Sequence, residues 1–333
     1  MPDGLLIVDK PSGPTSHDVV ARLRRVLREK RIGHTGTLDP LATGVMLLVV
    51  GRATRLAKFL NASDKAYEAV IRFGFATDTA DSQGRPLGPA SGQPPPSREA
   101  IDAALAAFRG TFLQQPPAFS AKKIDGQRSY TLARKARADL APRAGHGAAS
   151  HHAPLDPSDP PALPAPCPVT TTRLEIVNIE ADSVTVRVDC SAGFYVRSLA
   201  HDLGERLGVG AHLTALRRTR TGDFTIDRAI ALDTAERDQQ AAIAALVPMA
   251  EVLPGLPSVV LTPEGANRVS HGQDVRPGDQ EVSSLNSQLS ALFLQPSALS
   301  PQPFVRLLDP RGELVAIAER TPAGLLHPSV VLV

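Results

Sequence analysis

The sequence predicts a domain that mixes α-helices with β-strands, and three observations predict it. Two distant segments, Tyr67 to Phe75 and Val184 to Cys190, alternate apolar and polar residues as half-buried strands do. Two short apolar runs, Gly4 to Lys10 and Val45 to Val50, are bounded by turn residues and read as buried strands. Between them Val19, Val20, Leu23, Val26 and Leu27 recur at helical spacing, with Arg22, Arg25 and Glu29 on the other side.

Taken in order, the first strand ends at Pro11-Ser12-Gly13-Pro14, and Ser16 is placed to cap the helix that follows. A glycine-bounded loop leads into Val45 to Val50 and then a short helix near Thr54 to Leu60. In the next strand Tyr67, Ala69, Ile71, Phe73 and Phe75 share one side, with Glu68 and Arg72 opposite. Helices are expected near Ser97 to Phe108 and around Arg197 to Leu207. Near the C-terminus, Phe304 to Leu308 and Leu314 to Ile317 read as strands around the turn Asp309-Pro310-Arg311-Gly312.

Two stretches break this order. Pro142 to Pro168 holds eight prolines and no isoleucine, valine or aromatic residue, so it buries little and reads as a surface insertion. A Ser/Gln/Pro-rich stretch, 279–303, interrupts the C-terminal β-like region.

Composition narrows the possibilities. A chain of 333 residues with 42% hydrophobic content can build one large or two modest cores and is not wholly disordered. Val45 to Val50 is far too short to span a bilayer, and no secretory signal opens the chain, so no membrane partner is expected. Cys167 and Cys190 are the only cysteines, which points to a reducing, cytoplasmic setting. No His/Cys/Asp/Glu grouping has zinc spacing; His151-His152 falls in the Pro/Ala-rich insertion.

The net charge of +2 says little about partners, but its distribution says more. Six basic residues stand against one acid between Lys122 and Arg137, and Arg217, Arg218 and Arg220 form a second cluster. Two such clusters suit phosphate contact, although each alone is an ordinary solvated face.

The most informative string is Gly33-His34-Thr35-Gly36-Thr37-Leu38-Asp39-Pro40-Leu41-Ala42-Thr43-Gly44. Pro40 disfavours helical backbone at Asp39, and three glycines within twelve residues permit a tight, shaped loop that presents one carboxylate. This string resembles the catalytic segment of the TruB family of tRNA pseudouridine synthases. The resemblance extends over Gly4-Leu5-Leu6-Ile7-Val8-Asp9-Lys10-Pro11, Asp64-Lys65-Ala66-Tyr67, Thr77-Asp78-Thr79-Ala80-Asp81, Gly193-Phe194-Tyr195-Val196-Arg197 and Leu216-Arg217-Arg218-Thr219.

The resemblance implies an α+β fold with a mixed, largely antiparallel central sheet and flanking helices. It implies a catalytic domain over 1–250, with a thumb segment at 116–168 that contains the insertion at 137–168. A small β-rich, PUA-like RNA-binding domain would follow over 258–333, interrupted at 279–303. The implied reaction is isomerisation of uridine to pseudouridine at position 55 in the T loop of tRNA, by base flipping, with no cofactor and no metal. Asp39 is then the nucleophile, Arg197 the cation paired with it, and Tyr67 the ring that stacks on the target base and accepts a proton. His34, Lys65, Leu216, Lys122, Lys123, Arg217 and Arg218 are the expected substrate-binding residues. The expected partner is the T arm of tRNA, bound by a monomer with no obligatory protein partner. Rival readings are a guide-RNA-dependent synthase and a tRNA-binding or folding module without catalysis.

Overall fold

A computed structural model describes residues 3–120, 122–124, 127–129, 163–276, 278–280, 304–321 and 325–332. The expected insertion at 137–168 lies outside the described residues up to 162, and the interruption at 279–303 lies outside them from 281 onward. The chain divides into two units, 1–63 with 220–333, and 64–219. Among the described residues no helix is long and apolar enough to cross a membrane.

In the first unit β1 (Gly4–Lys10) pairs antiparallel with β3 (Thr43–Val50), in register from Gly4↔Val50 to Lys10↔Gly44. β2 (Ile32–Thr35) lies on the other edge of β3, so β2 and β3 form a hairpin whose connection carries Asp39. Helix α1 (Ser16–Leu27) buries Val19, Val20, Leu23 and Leu27, the apolar stripe visible in the sequence. Its cap is Thr15 rather than Ser16. Thr15 and Asp18 form a reciprocal capping box, which leaves the Ser16 hydroxyl available for another task. A 3₁₀ turn, Gly51–Leu56, and the short α2 (Ala57–Asn61) follow β3.

The second unit carries the strand order β10-β4-β9-β8-β5. These are β4 (Lys65–Phe73), β5 (Gly110–Gln114), β8 (Cys167–Glu180), β9 (Ser183–Cys190) and β10 (Ala211–Thr221). β4 and β9 pair antiparallel, Tyr67 facing Val188, and their alternating residues Ala69, Ile71, Val184, Val186 and Val188 are fully buried. Phe75 lies just past the end of β4, where its ring meets that of His212. Helices α3 (Arg98–Leu105) and α4 (Val196–Leu207) belong to this unit, with Ser97 capping α3. A two-stranded ladder, β6 (Lys123–Ile124) with β7 (Gln127–Arg128), lies within the expected thumb.

The chain returns to the first unit through β11 (Phe224–Thr225), β12 (Ile230–Ala231), α5 (Leu232–Arg237), α6 (Gln239–Ala244) and β13 (Leu246–Val247). β12 and β13 both pair with β1, β12 in parallel, which makes the sheet mixed. The C-terminal residues form a four-stranded sheet in the order β14 (Ser258–Val260), β15 (Phe304–Leu308), β16 (Leu314–Arg320), β17 (Leu326–Val331), with α7 (Pro263–Ser270) beside it.

That sheet serves two cores. Val315, Ala316 and Ala318 pack with Val259, Leu261, Val269, Val305 and Leu326. Leu314, Ile317 and Leu332 instead join Leu5, Ile7, Val45 and Leu47, so the strands flanking the Asp39 loop and the C-terminal strands bury one another. The Arg52 guanidinium extends this link, donating to Asp3 (Nε–Oδ2 2.6 Å) and to the Leu332 carbonyl at 2.9 Å. Arg55 donates to the Val331 carbonyl.

Ile317 is fully buried where the C-terminal sheet meets β1 and β3. Ile317→Ala is expected to cost about 2–5 kcal/mol of unfolding free energy, read from the urea midpoint. A loss under about 0.5 kcal/mol, the range of exposed positions, would mean the shared core does not carry the load assigned to it.

Candidate active site

The turn bearing Asp39 is held from one side by the segment 10–16. Lys10 is completely buried, and its ammonium donates to the carbonyls of Ala42 (2.7 Å), Pro11 (2.9 Å) and Pro40 (3.4 Å). Gly13 N–H donates to the Pro40 carbonyl at 2.8 Å. The Ser16 hydroxyl accepts from Leu38 N–H at 2.9 Å and donates to the Leu38 carbonyl at 3.1 Å. Residues 38, 40 and 42 are therefore each fixed through their own backbone. Ala42 N–H closes the turn on the Asp39 carbonyl at 3.0 Å. Gly36 and Gly44 bracket it with φ of 83° and 100°, a region that other residues resist. The half-buried Asp39 is thus presented by a backbone with little freedom.

His34 sits on β2 opposite Leu48, its ring meeting that of His17 from α1 edge to face at 5.5 Å. The sequence placed His34 beside the loop; the helix side of that contact was not legible in it.

The other predicted residues belong to the second unit. Tyr67 is the third residue of β4 and is buried. Arg197 stands in the first turn of α4, 6% exposed. Its guanidinium donates to the carbonyls of Phe119 (2.8 Å) and Thr79 (3.1 Å), and Asp81 Oδ2 lies 3.9 Å away, an electrostatic contact rather than a hydrogen bond. Asp81 is itself buried and held by the Thr79 hydroxyl (2.7 Å) and Gln83 N–H (3.0 Å). The sequence reading assigned Asp81 no role, although it closes the Thr77-Asp78-Thr79-Ala80-Asp81 string; the structure makes it the carboxylate beside Arg197.

Gln114 was not foreseen. Its side-chain amide donates to the Tyr195 carbonyl at 3.0 Å and accepts from Tyr195 N–H at 2.8 Å. The Ser198 hydroxyl donates to the Gln115 carbonyl at 2.7 Å. Together they fasten the start of α4 to the end of β5 and so fix where Arg197 begins.

Lys65 opens β4, faces Cys190, and accepts the Cys190 S–H on its carbonyl at 3.7 Å. Burial pulls its ammonium below the usual 10.5, and the Arg218 charge adds to that shift. Leu216 and Arg218 are buried on β10, Arg218 at 1% exposure, and Arg217 between them is partly exposed. Lys122 is exposed just before β6, and Lys123 pairs with Arg128 in the β6–β7 ladder. Among the described residues no group of three or more His, Cys, Asp or Glu is arranged to hold a metal ion.

Comparison with known proteins places this geometry. Residues 24–144 match the profile described as TruB family pseudouridylate synthase (N terminal domain), and residues 197–253 match the tRNA pseudouridylate synthase B C-terminal domain. The chain belongs to the TruB family of pseudouridine synthases. A relative from Solibacter usitatus, named tRNA pseudouridine synthase B, is 39% identical over 99% of this chain and 100% of its own length. One of the same name from Thermobifida fusca is 42% identical over 99% of each. Among solved structures, an H/ACA RNP bound to a substrate RNA containing 2'-deoxyuridine shares the fold, with TM-score 0.67 and 23% identity over 99% of this chain and 85% of that one. A Cbf5-Nop10-Gar1 complex aligns with TM-score 0.62 and 25% identity over 96% of this chain and 78% of that chain.

Two outcomes follow from the site. Ser16→Ala leaves the Leu38 N–H and carbonyl without their buried partner, one residue from Asp39. It should cost about 1–3 kcal/mol and slow single-turnover pseudouridine formation roughly ten- to hundredfold by loosening the turn; an unchanged rate would show that Ser16 serves stability alone. Lys65 gives a pH signature. Because its folded pKa is depressed, the unfolded chain binds the extra proton between that value and 10.5, so Lys65 weakens the fold at neutral pH and that penalty fades as pH rises. Urea midpoints at pH 8 and pH 10 should show a gain in wild type that Lys65→Met lacks; equal gains in both would contradict it.

Proposed function

We propose that this protein isomerises uridine to pseudouridine in the T loop of tRNA, at position 55. The observation that carries the reading is the turn 38–42, whose backbone is bonded at Leu38, Pro40 and Ala42 while it presents the Asp39 carboxylate. Full-length similarity to proteins named tRNA pseudouridine synthase B supplies the substrate.

The chemistry conserves every atom. The bond from ribose C1′ to uracil N1 breaks, the base turns, and C1′ joins C5. The hydrogen on C5 leaves and a proton is taken up elsewhere on the ring. No electron or phosphoryl group changes hands. In this reading Asp39 is the nucleophile that holds the fragments while the base turns, attacking either the anomeric carbon or the ring. Arg197 is its counter-cation; a guanidinium stays charged when buried and suits a carboxylate. Tyr67 stacks on the flipped uracil and receives the C5 proton. Leu216 walls off water, and His34 organises the loop from which the base has left, an extrusion that costs a few kcal/mol. Arg217, Lys122 and Lys123 meet RNA phosphates, and Lys65 and Arg218, both buried, complete the substrate-binding set from within the unit.

The protein acts alone, as a cytoplasmic monomer, and residues 258–333 serve as a PUA-like contact to the tRNA. The favoured standalone action rests on the identity of 39–42%, over the full length, to relatives named for tRNA.

Purified protein incubated with unmodified tRNA tritiated at uridine C5 should release tritium. Asp39→Asn should reduce release by on the order of 10³-fold or more while tRNA binding persists. Equal release by both proteins would remove Asp39 from the chemistry. Release only after adding guide RNA and partner proteins would end the standalone reading.

A further inference from the structure

The C-terminal half of α1 and the turn after β3 carry a concentration of positive charge that the proposed active site does not use. Residues 22–31 contain six cations (Arg22, Arg24, Arg25, Arg28, Lys30, Arg31) and one acid, Glu29. Residues 51–58 add Arg52, Arg55 and Lys58 with no acid. The two segments meet in space, since Gly51 N–H donates to the Arg31 carbonyl at 2.8 Å.

Part of this charge has structural work. Arg24 donates to the Ile32 carbonyl at 2.7 Å, Arg52 pairs with Asp3, and Arg55 reaches the Val331 carbonyl. Arg22 shares one partly buried, 3.4 Å contact with Glu236, and Arg31 a 3.7 Å contact with Glu29. Arg25, Arg28 and Lys30 are exposed and make no ion pair among the described residues. Cations in a last helical turn complement the helix dipole, which accounts for Arg24 and Arg25. It does not account for Lys30 or Arg31 beyond the helix, whereas Lys58 stands in the last turn of α2 with its ammonium 4.9 Å from the centre of the Phe59 ring. Like charges crowded on one face repel, so the face is costly unless an anion meets it.

Its shape adds a second observation. Arg22, Arg25, Val26 and Glu236 line an open groove of about 490 Å³ between α1 and α5. Arg22 and Arg25, three residues apart on a helix, are surface neighbours that can reach adjacent phosphates. Ser16, which touches the Asp39 loop, opens the same helix, so Arg28 at its far end stands roughly 18 Å along the axis from that contact. This separation makes the face a contact apart from the catalytic turn.

We infer that the face formed by Arg22, Arg25, Arg28, Lys30 and Arg31 binds the phosphodiester backbone of the RNA substrate at a distance from the target base. The inference rests on the proposed tRNA substrate. A face of this kind contributes affinity without reading sequence, and its strength is set by counterion release.

The test neutralises Arg25→Gln, Arg28→Gln and Lys30→Gln together, positions whose side chains lie outside the core. Binding of unmodified full-length tRNA is measured from 50 to 300 mM salt. Each lost phosphate contact lowers the slope of log K against log salt by about 0.7–0.9, so a fall of about 2–3 is expected, with affinity near 100 mM weakened about tenfold or more. Tritium release in a single turnover at saturating protein should be unchanged. A control of equal charge change, Arg72→Gln with Arg173→Gln and Arg187→Gln, removes arginines that each sit in a surface ion pair and should leave the slope within about 0.5 of wild type. Unchanged slope and affinity in the first variant, or an equal fall in the control, would overturn the inference. Failure of Asp39→Asn to lose activity would strike the catalytic reading and leave this one standing. Failure of wild type to bind tRNA at all would end both.

Discussion

The first unit is organised around holding one carboxylate in place, that of Asp39, which the proposed reaction makes the nucleophile. The turn from Leu38 to Ala42 has a short list of bonds available to it, and nearly all come from residues 10–16. The Lys10 ammonium is the unusual member, a fully buried cation whose three protons meet carbonyl oxygens. Burying a charge without compensation is prohibitive. Here partial negative charges gather around it, and they belong to the backbone of the turn. The cation and the turn therefore stabilise one another, alongside the bonds from Gly13 and Ser16. A neutral side chain satisfying one carbonyl would not create that mutual dependence.

The second unit solves a similar problem with different parts. Arg197 is buried at the start of a helix, where the macrodipole disfavours a cation. Two carbonyls and the Asp81 carboxylate offset that placement. Asp81 Oδ2 at 3.9 Å is too far for a hydrogen bond, so it lowers the cost of the charge without locking its direction. Direction comes from the Phe119 and Thr79 carbonyls and, behind them, from the Gln114 amide that fastens Tyr195. Held this way, the guanidinium is a fixed positive point for whatever anion it serves. Lys65 and Arg218, both buried and mutually repelling, show the same willingness to spend stability on positive charge within this unit.

Elements whose identity is written locally were legible in the sequence. β1, β3, β4, β9 and the apolar face of α1 follow from period and punctuation alone, and Asp39 stood out because Pro40 and the nearby glycines restrict the backbone around it. What escaped depends on partners far away in the chain. Ser16 looked like a helix cap because serine is a good one, but Thr15 and Asp18 took that role through a reciprocal pair that a scan for one capping residue does not resolve. Gln114 gave no signal, since an amide that clamps a backbone 81 residues away has no local pattern. β8 was obscured because register shifts near Arg173 and Asn178 break its alternation. Asp81 could be found only as part of a string, without the geometry that gives it a partner.

The C-terminal sheet changes how binding and chemistry can be separated within the first unit. From sequence it reads as an appendage, because an interrupted β-rich tail after the last catalytic motif is what an attached module looks like. Leu314, Ile317 and Leu332 nonetheless lie in the same apolar cluster as Leu5, Ile7, Val45 and Leu47, and Arg52 ties Asp3 to Leu332. β1 ends at Lys10 and β3 begins at Thr43, so these strands are the two rails from which the Asp39 turn hangs. Truncating the tail exposes the apolar face of those rails to water at about 25 cal/mol per Å². Such a deletion perturbs the Asp39 turn as well as any RNA contact made by the tail. A contribution of the tail to RNA binding is therefore measurable only by surface substitutions that leave this shared core intact.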